Sequence, residues 1–324
     1  MAKDLLEKLG EYRQNKITDL SDIQVERLQK SLQELENLVI KEASQINPAR
    51  GSLKLRTTLA LELRPKLKKH IEQTYLLAVQ QNISEYDKSA GWLLATFKEY
   101  PIAKEFKEIT ELDLTTIQQL KRGAYLPFED LGSEFVNELS QEVYNSTLTG
   151  KPTERMIADL RGKINGIYQT SDNQEAQELI DFVSNNPDKT LEVKTAVERL
   201  QTIYGRDRLG NNFRRYATQL TQDSLMGFDG QFAKYRSDEL GLNSYKYTGT
   251  TVRDSRDFCR NTVGRVLTEE EIRDIWSGQV WTGKSQGDPF IVRGGYNCRH
   301  HWQPVNSDWV DSEGNYKLDW QNRQ

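Results

Sequence analysis

The stretch SYKYTGTTVRDSRDFCRNTVGRVLTEEE, residues 244–271, decides the fold of the C-terminal part of this chain, and PFIVRGGYNCRHHWQPV, residues 289–305, completes it. These two stretches hold both cysteines of the protein and two of its three histidines: Cys259, Cys298, His300 and His301. Everything upstream is richer in charge and in helical patterning. We therefore take residues 241–305 as a compact module and the preceding chain as a helical lead-in.

Local signals in this module predict a mixture of short strands and helices. Alternating Tyr and Thr at 244–251 predict a strand, and residues 263–267 predict a second one. Thr268 followed by Glu271 predicts a capping box that opens a helix running to about Ser277. Residues 290–292 and the positions before Cys298 predict further β-structure. Gly294-Gly295 predicts a tight turn that needs positive φ and a close backbone approach.

Upstream of residue 241, apolar residues recur every three or four positions, a pattern typical of amphipathic helices. Residues 1–47 predict a helix with Asp19 or Ser21 as its N-cap. Its apolar face consists of Ile23, Leu28, Leu32, Leu35, Leu38 and Val39. Residues 112–148 predict two helices separated at Pro127, because proline usually ends a helix. The fold class expected is α+β, with a long mainly helical N-terminal region and a small α+β module.

This patterning divides the chain into four segments. Residues 1–110 and 111–240 are predicted to be two helical regions, 241–305 the module and 306–324 a C-terminal tail. Breaks at Pro101, at residues 149–152 and at residues 185–188 carry turn-forming residues.

Composition narrows the class of protein. The 324 residues carry a net charge of −4, with 36% hydrophobic and 28% charged side chains. The chain has no overall positive charge that would indicate nucleic-acid binding. Two cysteines exclude a disulfide scaffold and suit a reducing compartment. The N-terminus has no apolar signal region and no run of 18 apolar residues occurs, so we predict neither standard secretion nor a membrane span.

One basic block stands out within the helical lead-in. Residues 50–70 contain seven Lys or Arg against one Glu. Basic side chains on a helical surface attract phosphates. The candidate DNA contacts are Lys54, Arg56, Arg64, Lys66, Lys68 and Lys69. The alternative is an ordinary solvated face beside acidic neighbours.

The cysteines and histidines of the module raise the question of a metal. Zinc takes four soft or borderline ligands, and Cys259, Cys298 and one of the adjacent histidines could supply three. The fourth would be the other histidine, Asp254 or Asp257. Two other interpretations stay open, in which the cysteines pack as buried thiols or form a disulfide. The candidate ligands are Cys259, Cys298, His300 and His301, for one structural zinc ion.

No set of residues in the sequence assembles a nucleophile, a base and an oxyanion site, so we predict a protein that is not an enzyme. Alternating Arg and Asp at 253–257 favour mutual ion pairs that fix a loop. The alternative is a metal-dependent nuclease or hydrolase centred on the Cys/His cluster.

The order of residues from Thr250 to Val305 resembles the C-terminal domain of the phage Mu F-like minor head proteins, also called the phage head morphogenesis family. The resemblance rests on the following positions: Asp254, Arg256, Cys259, Gly264, Gly294, Gly295, Asn297, Cys298, Arg299, His300, Trp302, Pro304 and Val305. His300 stands where many members have cysteine, a substitution that keeps metal binding possible.

The resemblance implies a minor structural protein of a tailed-phage head, acting in head morphogenesis and/or genome packaging and ejection. Its implied partners are the portal protein, the inner capsid surface and packaged double-stranded DNA. Its implied location is the virion, in the capsid interior or at the portal vertex, with the host cytoplasm during assembly.

Overall fold

The computed structural model describes residues 2–46, 52–102, 107–165, 174–186, 191–204, 212–253, 255–281, 284–311 and 317. Helices dominate this fold, and a three-stranded antiparallel sheet lies in the C-terminal part. The predicted α+β class is therefore confirmed.

The helices and strands follow one another in a simple order. The helices upstream of the sheet are α1 (Ala2–Ser44), α2 (Leu53–Ile71), α3 (Leu77–Ser84), α4 (Tyr86–Lys98), α5 (Glu111–Thr149), α6 (Thr153–Asn165), α7 (Gln174–Asn185), α8 (Leu191–Tyr204) and α9 (Phe213–Glu239). A π-helical turn, Glu72–Leu76, joins α2 to α3. The module contains β1 (Ser244–Thr248), α10 (Asp257–Thr262), β2 (Val266–Thr268), α11 (Glu269–Ser277), α12 (Pro289–Val292), β3 (His301–Val305) and a 3-10 turn (Ser307–Trp309).

Helix α1 corrects two details of the sequence interpretation. It begins at Ala2, so neither Asp19 nor Ser21 is its N-cap. Ile23 is 53% exposed, although the sequence placed it on the buried face with Leu28. Ile23 lies five residues before Leu28, which turns it well away from Leu28 around a helix of 3.6 residues per turn.

Helix α5 is continuous through Pro127, so the predicted split into two helices is wrong. A proline removes one hydrogen bond and adds a local clash, but burial on both sides can keep the helix going. Ile117 before the proline and Phe128 after it are both buried. Helix α2 likewise contains Pro65 within its span.

Strand β1 is the centre of the sheet, whose order is β2-β1-β3 with both pairings antiparallel. Tyr245 lies opposite Leu267 on one side, and Tyr247 lies opposite Trp302 on the other. Since alternate residues of a strand share a face, Tyr245 and Tyr247 point the same way. Both belong to the buried apolar cluster of the module.

Two local predictions in the module have opposite outcomes. The capping box is confirmed, because Thr268 accepts from the backbone of Glu271 and Glu271 accepts from that of Thr268. Residues 290–292 are helical, so the strand predicted there is wrong. Asp288 caps this short turn by accepting a hydrogen bond from Phe290, and Pro289 at its first position favours a helical start. The third strand lies further on, at β3.

The chain divides into two compact units. The first unit comprises residues 1–24, 81–125 and 221–324, and the second comprises residues 25–80 and 126–220. The boundaries predicted at 110, 240 and 305 divide the chain into consecutive segments. Each compact unit consists instead of stretches that are separated in the sequence. Helices α1, α5 and α9 each contribute residues to both units, which local composition does not reveal.

The second unit is a helical core. Phe213 stacks on Phe135 with ring centroids 4.0 Å apart and packs its edge against Tyr75. A buried ion pair joins Arg161 to Glu36 at 3.4 Å.

The first unit packs its module onto helices. Tyr100, just after α4, donates a hydrogen bond to the carbonyl oxygen of Pro304 in β3 at 2.8 Å. Gln303 in turn donates to the Tyr100 hydroxyl at 3.1 Å. Arg13 of α1 pairs with Asp229 of α9 at 2.6 Å, and both side chains are buried. The contacts of Tyr100 hold β3 against the end of α4, and the ion pair joins α1 to α9.

Candidate metal centre

Three side chains from separate parts of the module meet in one group. Cys259 lies on α10, whereas Cys298 and His300 lie in the segment that leads into β3. The two sulfur atoms are 3.9 Å apart, and Cys298 Sγ is 3.5 Å from His300 Nδ1. The potential ligand atoms of all three residues lie within 4.8 Å of one another. The group could therefore hold a metal ion.

The group is closed to solvent. Cys259 is 2% exposed, Cys298 5% and His300 6%. The two cysteines belong to the same buried cluster as the aromatic side chains of Phe258, Trp276 and Trp302. Such an enclosure resembles a structural metal site more than a catalytic one, which keeps a position open for water or substrate.

A tyrosine completes the surroundings of the two sulfurs. The Tyr247 hydroxyl lies 3.6 Å from Cys259 Sγ and 3.4 Å from Cys298 Sγ. Its ring is nearly parallel to the His300 ring, with centroids 5.2 Å apart. The sequence interpretation treated Tyr247 as part of a strand only. Its alternation with Tyr245 was the available signal that the side chain faces the core.

Two glycines make room for the group. A Cβ atom at Gly294 would lie 2.3 Å from Cys259 Sγ and 2.9 Å from Cys298 Sγ. A Cβ atom at Gly249 would lie 2.2 Å from Cδ2 of His300. Any larger residue at either position displaces a ligand side chain. The close backbone approach predicted for Gly294-Gly295 is thus confirmed, and Gly295 has the predicted positive φ of 91°.

The pKa values of the two thiols shift in opposite directions. The hydrogen bond between the two sulfurs lowers the pKa of the Cys298 thiol well below its usual range, and His300 and Arg293 lower it further. The same sulfur–sulfur hydrogen bond and burial raise the pKa of Cys259.

The spacing of the two sulfurs fits a zinc-like ion. Zinc binds thiolate sulfur at about 2.3 Å, so two sulfurs at corners of a tetrahedron lie about 3.8 Å apart. The observed separation of 3.9 Å matches that spacing. A disulfide would bring the sulfurs to about 2.05 Å, and both cysteines are free thiols in this structure.

The remaining candidate ligands lie elsewhere. His301 does not join the group formed by the described residues; it is buried, and its Nε2 atom has no hydrogen-bond partner there. Burial lowers the pKa of His301 well below 6.5, and the charge of Arg13 adds to this effect. His301 is the first residue of β3, so its direction is set by the strand and not by His300. Asp257 is 89% exposed and pairs with Arg260, and Asp254 lies outside the described residues.

Several other residues of the family resemblance form turns and hydrogen bonds within the first unit. Arg256 precedes α10 and donates to the carbonyl oxygen of Tyr296 at 2.9 Å. Gly264 has φ of 84° in the turn before β2, and its backbone N–H donates a hydrogen bond to the backbone carbonyl oxygen of Tyr247. The Asn297 backbone N–H donates to Asp223 at 2.9 Å, and Arg299 pairs with Asp22 at 2.8 Å.

The candidate DNA contacts all lie on α2. Arg64 donates to Asn137, Lys66 pairs with Glu42 at 2.8 Å and Lys68 approaches Glu72 at 4.0 Å. Lys54 and Lys69 are exposed, and Arg56 is half-buried. Because successive helical residues are about 100° apart, these six positions are spread around α2 and do not share one side. Contact with DNA stays a prediction.

No helix within the described part of the chain has the length and apolarity needed to cross a lipid bilayer. Family models, curated proteins and solved structures give no match to this chain.

Proposed function

We propose that this chain is a minor structural protein of a tailed-phage head whose module is held together by one structural zinc ion. The observation that carries the proposal is the buried group of Cys259, Cys298 and His300. These residues are among those on which the resemblance to the Mu F-like proteins rests, and 38 positions separate the two cysteines in the sequence. Their convergence gives that spacing a physical reason.

Burial supports a structural role over the nuclease or hydrolase alternative. A catalytic zinc keeps one position open for water or substrate, whereas each member of this group is nearly inaccessible. Two thiolates and one imidazole would supply three of the four ligands that zinc takes and would link α10 to the segment before β3. The ion would cross-link the module and so stabilise it, because its helices and strands are only three to nine residues long.

Association with the portal, the inner capsid surface and packaged DNA is part of this proposal. The exposed Lys54 and Lys69 on α2 offer positive charge to a phosphate backbone, while the chain as a whole keeps a charge of −4. A modest basic surface on a mildly acidic protein suits contact with DNA in a protein shell better than tight independent binding.

The metal part of the proposal predicts about one zinc ion per purified full-length chain. Chelation is expected to lower the melting temperature of the chain, because zinc bound only by the folded state stabilises it. His300→Ala is expected to lose the bound zinc and much of this stabilisation. The measurements are elemental analysis and thermal unfolding before and after chelation.

His70→Ala is the matched control, because His70 lies on α2 in the second unit. This variant should keep the zinc. Zinc-free wild type, or a His300→Ala variant that keeps zinc and stability, would contradict the structural metal site. DNA hydrolysis by the loaded chain, lost in a folded His300→Ala variant, would favour the nuclease alternative.

The virion part of the proposal is tested by mass spectrometry of purified tailed-phage particles produced by cells that encode this chain. The chain is expected in DNA-filled heads at a few copies per particle. Its abundance in the lysate together with its absence from the heads would count against a structural role in the virion.

A further inference from the structure

Tyr247 places a buried hydroxyl group beside the candidate metal centre. The residue is fully buried at 0% exposure on β1, the central strand of the sheet. Its hydroxyl approaches both sulfurs, at 3.6 Å for Cys259 and 3.4 Å for Cys298. Both distances suit hydrogen bonds to sulfur, which are longer than those to oxygen.

The tyrosine ring is held so that its hydroxyl has little freedom to turn away. Trp302 packs at 4.4 Å between centroids, His300 lies parallel at 5.2 Å and Phe258 meets its edge at 5.6 Å. Gly294 covers the hydroxyl from another side, where a Cβ atom would be only 3.2 Å away. The surrounding side chains therefore direct the O–H group to the sulfurs.

We propose that Tyr247 is a positioning residue of the metal site, whose hydroxyl donates a hydrogen bond shared by the two cysteine sulfurs. This inference rests on the proposed metal site. With a metal bound, both sulfurs are thiolates and both accept hydrogen bonds, while a phenol keeps its donor proton at neutral pH. The shared proton offsets the repulsion between two negative sulfurs and holds them at ligand spacing. It also tunes how strongly they donate electrons to the metal, as partners of ligand atoms do in other metal sites.

Tyr245 provides a matched control on the same strand. It lies two positions before Tyr247, faces the same side of the sheet and is also buried. Its hydroxyl accepts a hydrogen bond from Ser237 Oγ at 3.0 Å and forms no hydrogen bond to sulfur among the described residues. Tyr245→Phe therefore removes a buried tyrosine hydroxyl from the same core without touching the site.

The test compares wild type, Tyr247→Phe and Tyr245→Phe as full-length chains titrated with zinc and with cobalt(II). Tyr247→Phe is expected to bind zinc about 10- to 100-fold more weakly than wild type. Its cobalt complex should show a shifted thiolate-to-metal charge-transfer band. Tyr245→Phe should keep the wild-type affinity and spectrum even if its melting temperature falls.

The three possible outcomes separate the role of Tyr247 from the presence of the metal site. Equal affinity and identical cobalt spectra for Tyr247→Phe and wild type would overturn the role of Tyr247 and leave the metal site standing. Equal losses of affinity in both variants would assign the effect to packing and would also overturn it. Wild type that binds neither metal would overturn the metal site and this inference together.

Discussion

Replacing Gly230 with alanine is expected to destabilise the first unit by about 3 kcal/mol, at the upper end of the range for overpacking. Gly230 lies on α9, and a Cβ atom there would be 2.2 Å from the backbone carbonyl oxygen of Phe290. A backbone atom cannot rotate aside as a flexible side chain can. The clash would push α12 away from α9 and disturb the packing of Phe290, a member of the module core.

Urea unfolding followed by tryptophan fluorescence measures this effect, because all six tryptophans lie within the residue ranges of the first unit. Gly227→Ala is the matched control, one helical turn earlier on α9. A Cβ atom there would make an ordinary contact of 3.5 Å with Ile291. Since alanine favours a helix over glycine by up to about 1 kcal/mol, the control should be neutral or slightly stabilising. Equal stabilities of the two variants would contradict the close packing of α9 on α12.

Replacing Asp229 with alanine is expected to cost about 3–5 kcal/mol of unfolding free energy, since it leaves a buried charge without its partner. Asp229 Oδ1 accepts hydrogen bonds from Arg13 at 2.6 Å and from Ser89 at 2.7 Å. Arg13 and Asp229 are both nearly inaccessible. Arg13 reaches Asp229 through Nη2, whereas its Nε and Nη1 have no hydrogen-bond partner among the described residues. Asp229 is therefore the carboxylate that balances the charge of Arg13.

The double variant Arg13→Met with Asp229→Leu separates charge from packing. It is expected to be more stable than Asp229→Ala alone, because it removes both charges and fills the space with apolar atoms. Asp22→Ala, which breaks the exposed pair with Arg299, should change stability by less than about 1 kcal/mol. A loss in Asp229→Ala no greater than that of Asp22→Ala would show that Arg13 does not need its partner.

Residues close in the sequence were the ones that could be predicted. The capping box of Thr268 and Glu271 forms within a single turn, and the β-pattern around Tyr247 depends on neighbouring positions. The strand expected at residues 290–292 failed because a proline and an aspartate cap favour one helical turn there. The helix break expected at Pro127 failed because burial along α5 outweighs a single missing hydrogen bond.

The candidate site could be predicted only in part from the sequence. Its cysteines and one of its histidines could be nominated by residue type, but the sequence offered two adjacent histidines and no means of choosing between them. The structure brings His300 beside Cys298 and places His301 on β3, away from the sulfurs. Tyr247 was not predicted as a site residue because its hydroxyl meets Cys298, a residue far along the chain. Gly294 was predicted to allow a close approach, but only the structure shows that the two cysteine sulfurs are what lies against it.

The sequence by itself determined the α+β class, the helical lead-in and the residue types available for metal binding, because periodicity, capping and turn chemistry act between near neighbours. Tertiary structure alone decided which of those residues meet, how deeply they are buried and which glycines allow them to approach. It also decided that α1, α5 and α9 each contribute to both compact units. Those properties depend on how distant segments pack, and a packing arrangement is set by the sum of many side-chain contacts and by no single stretch of sequence.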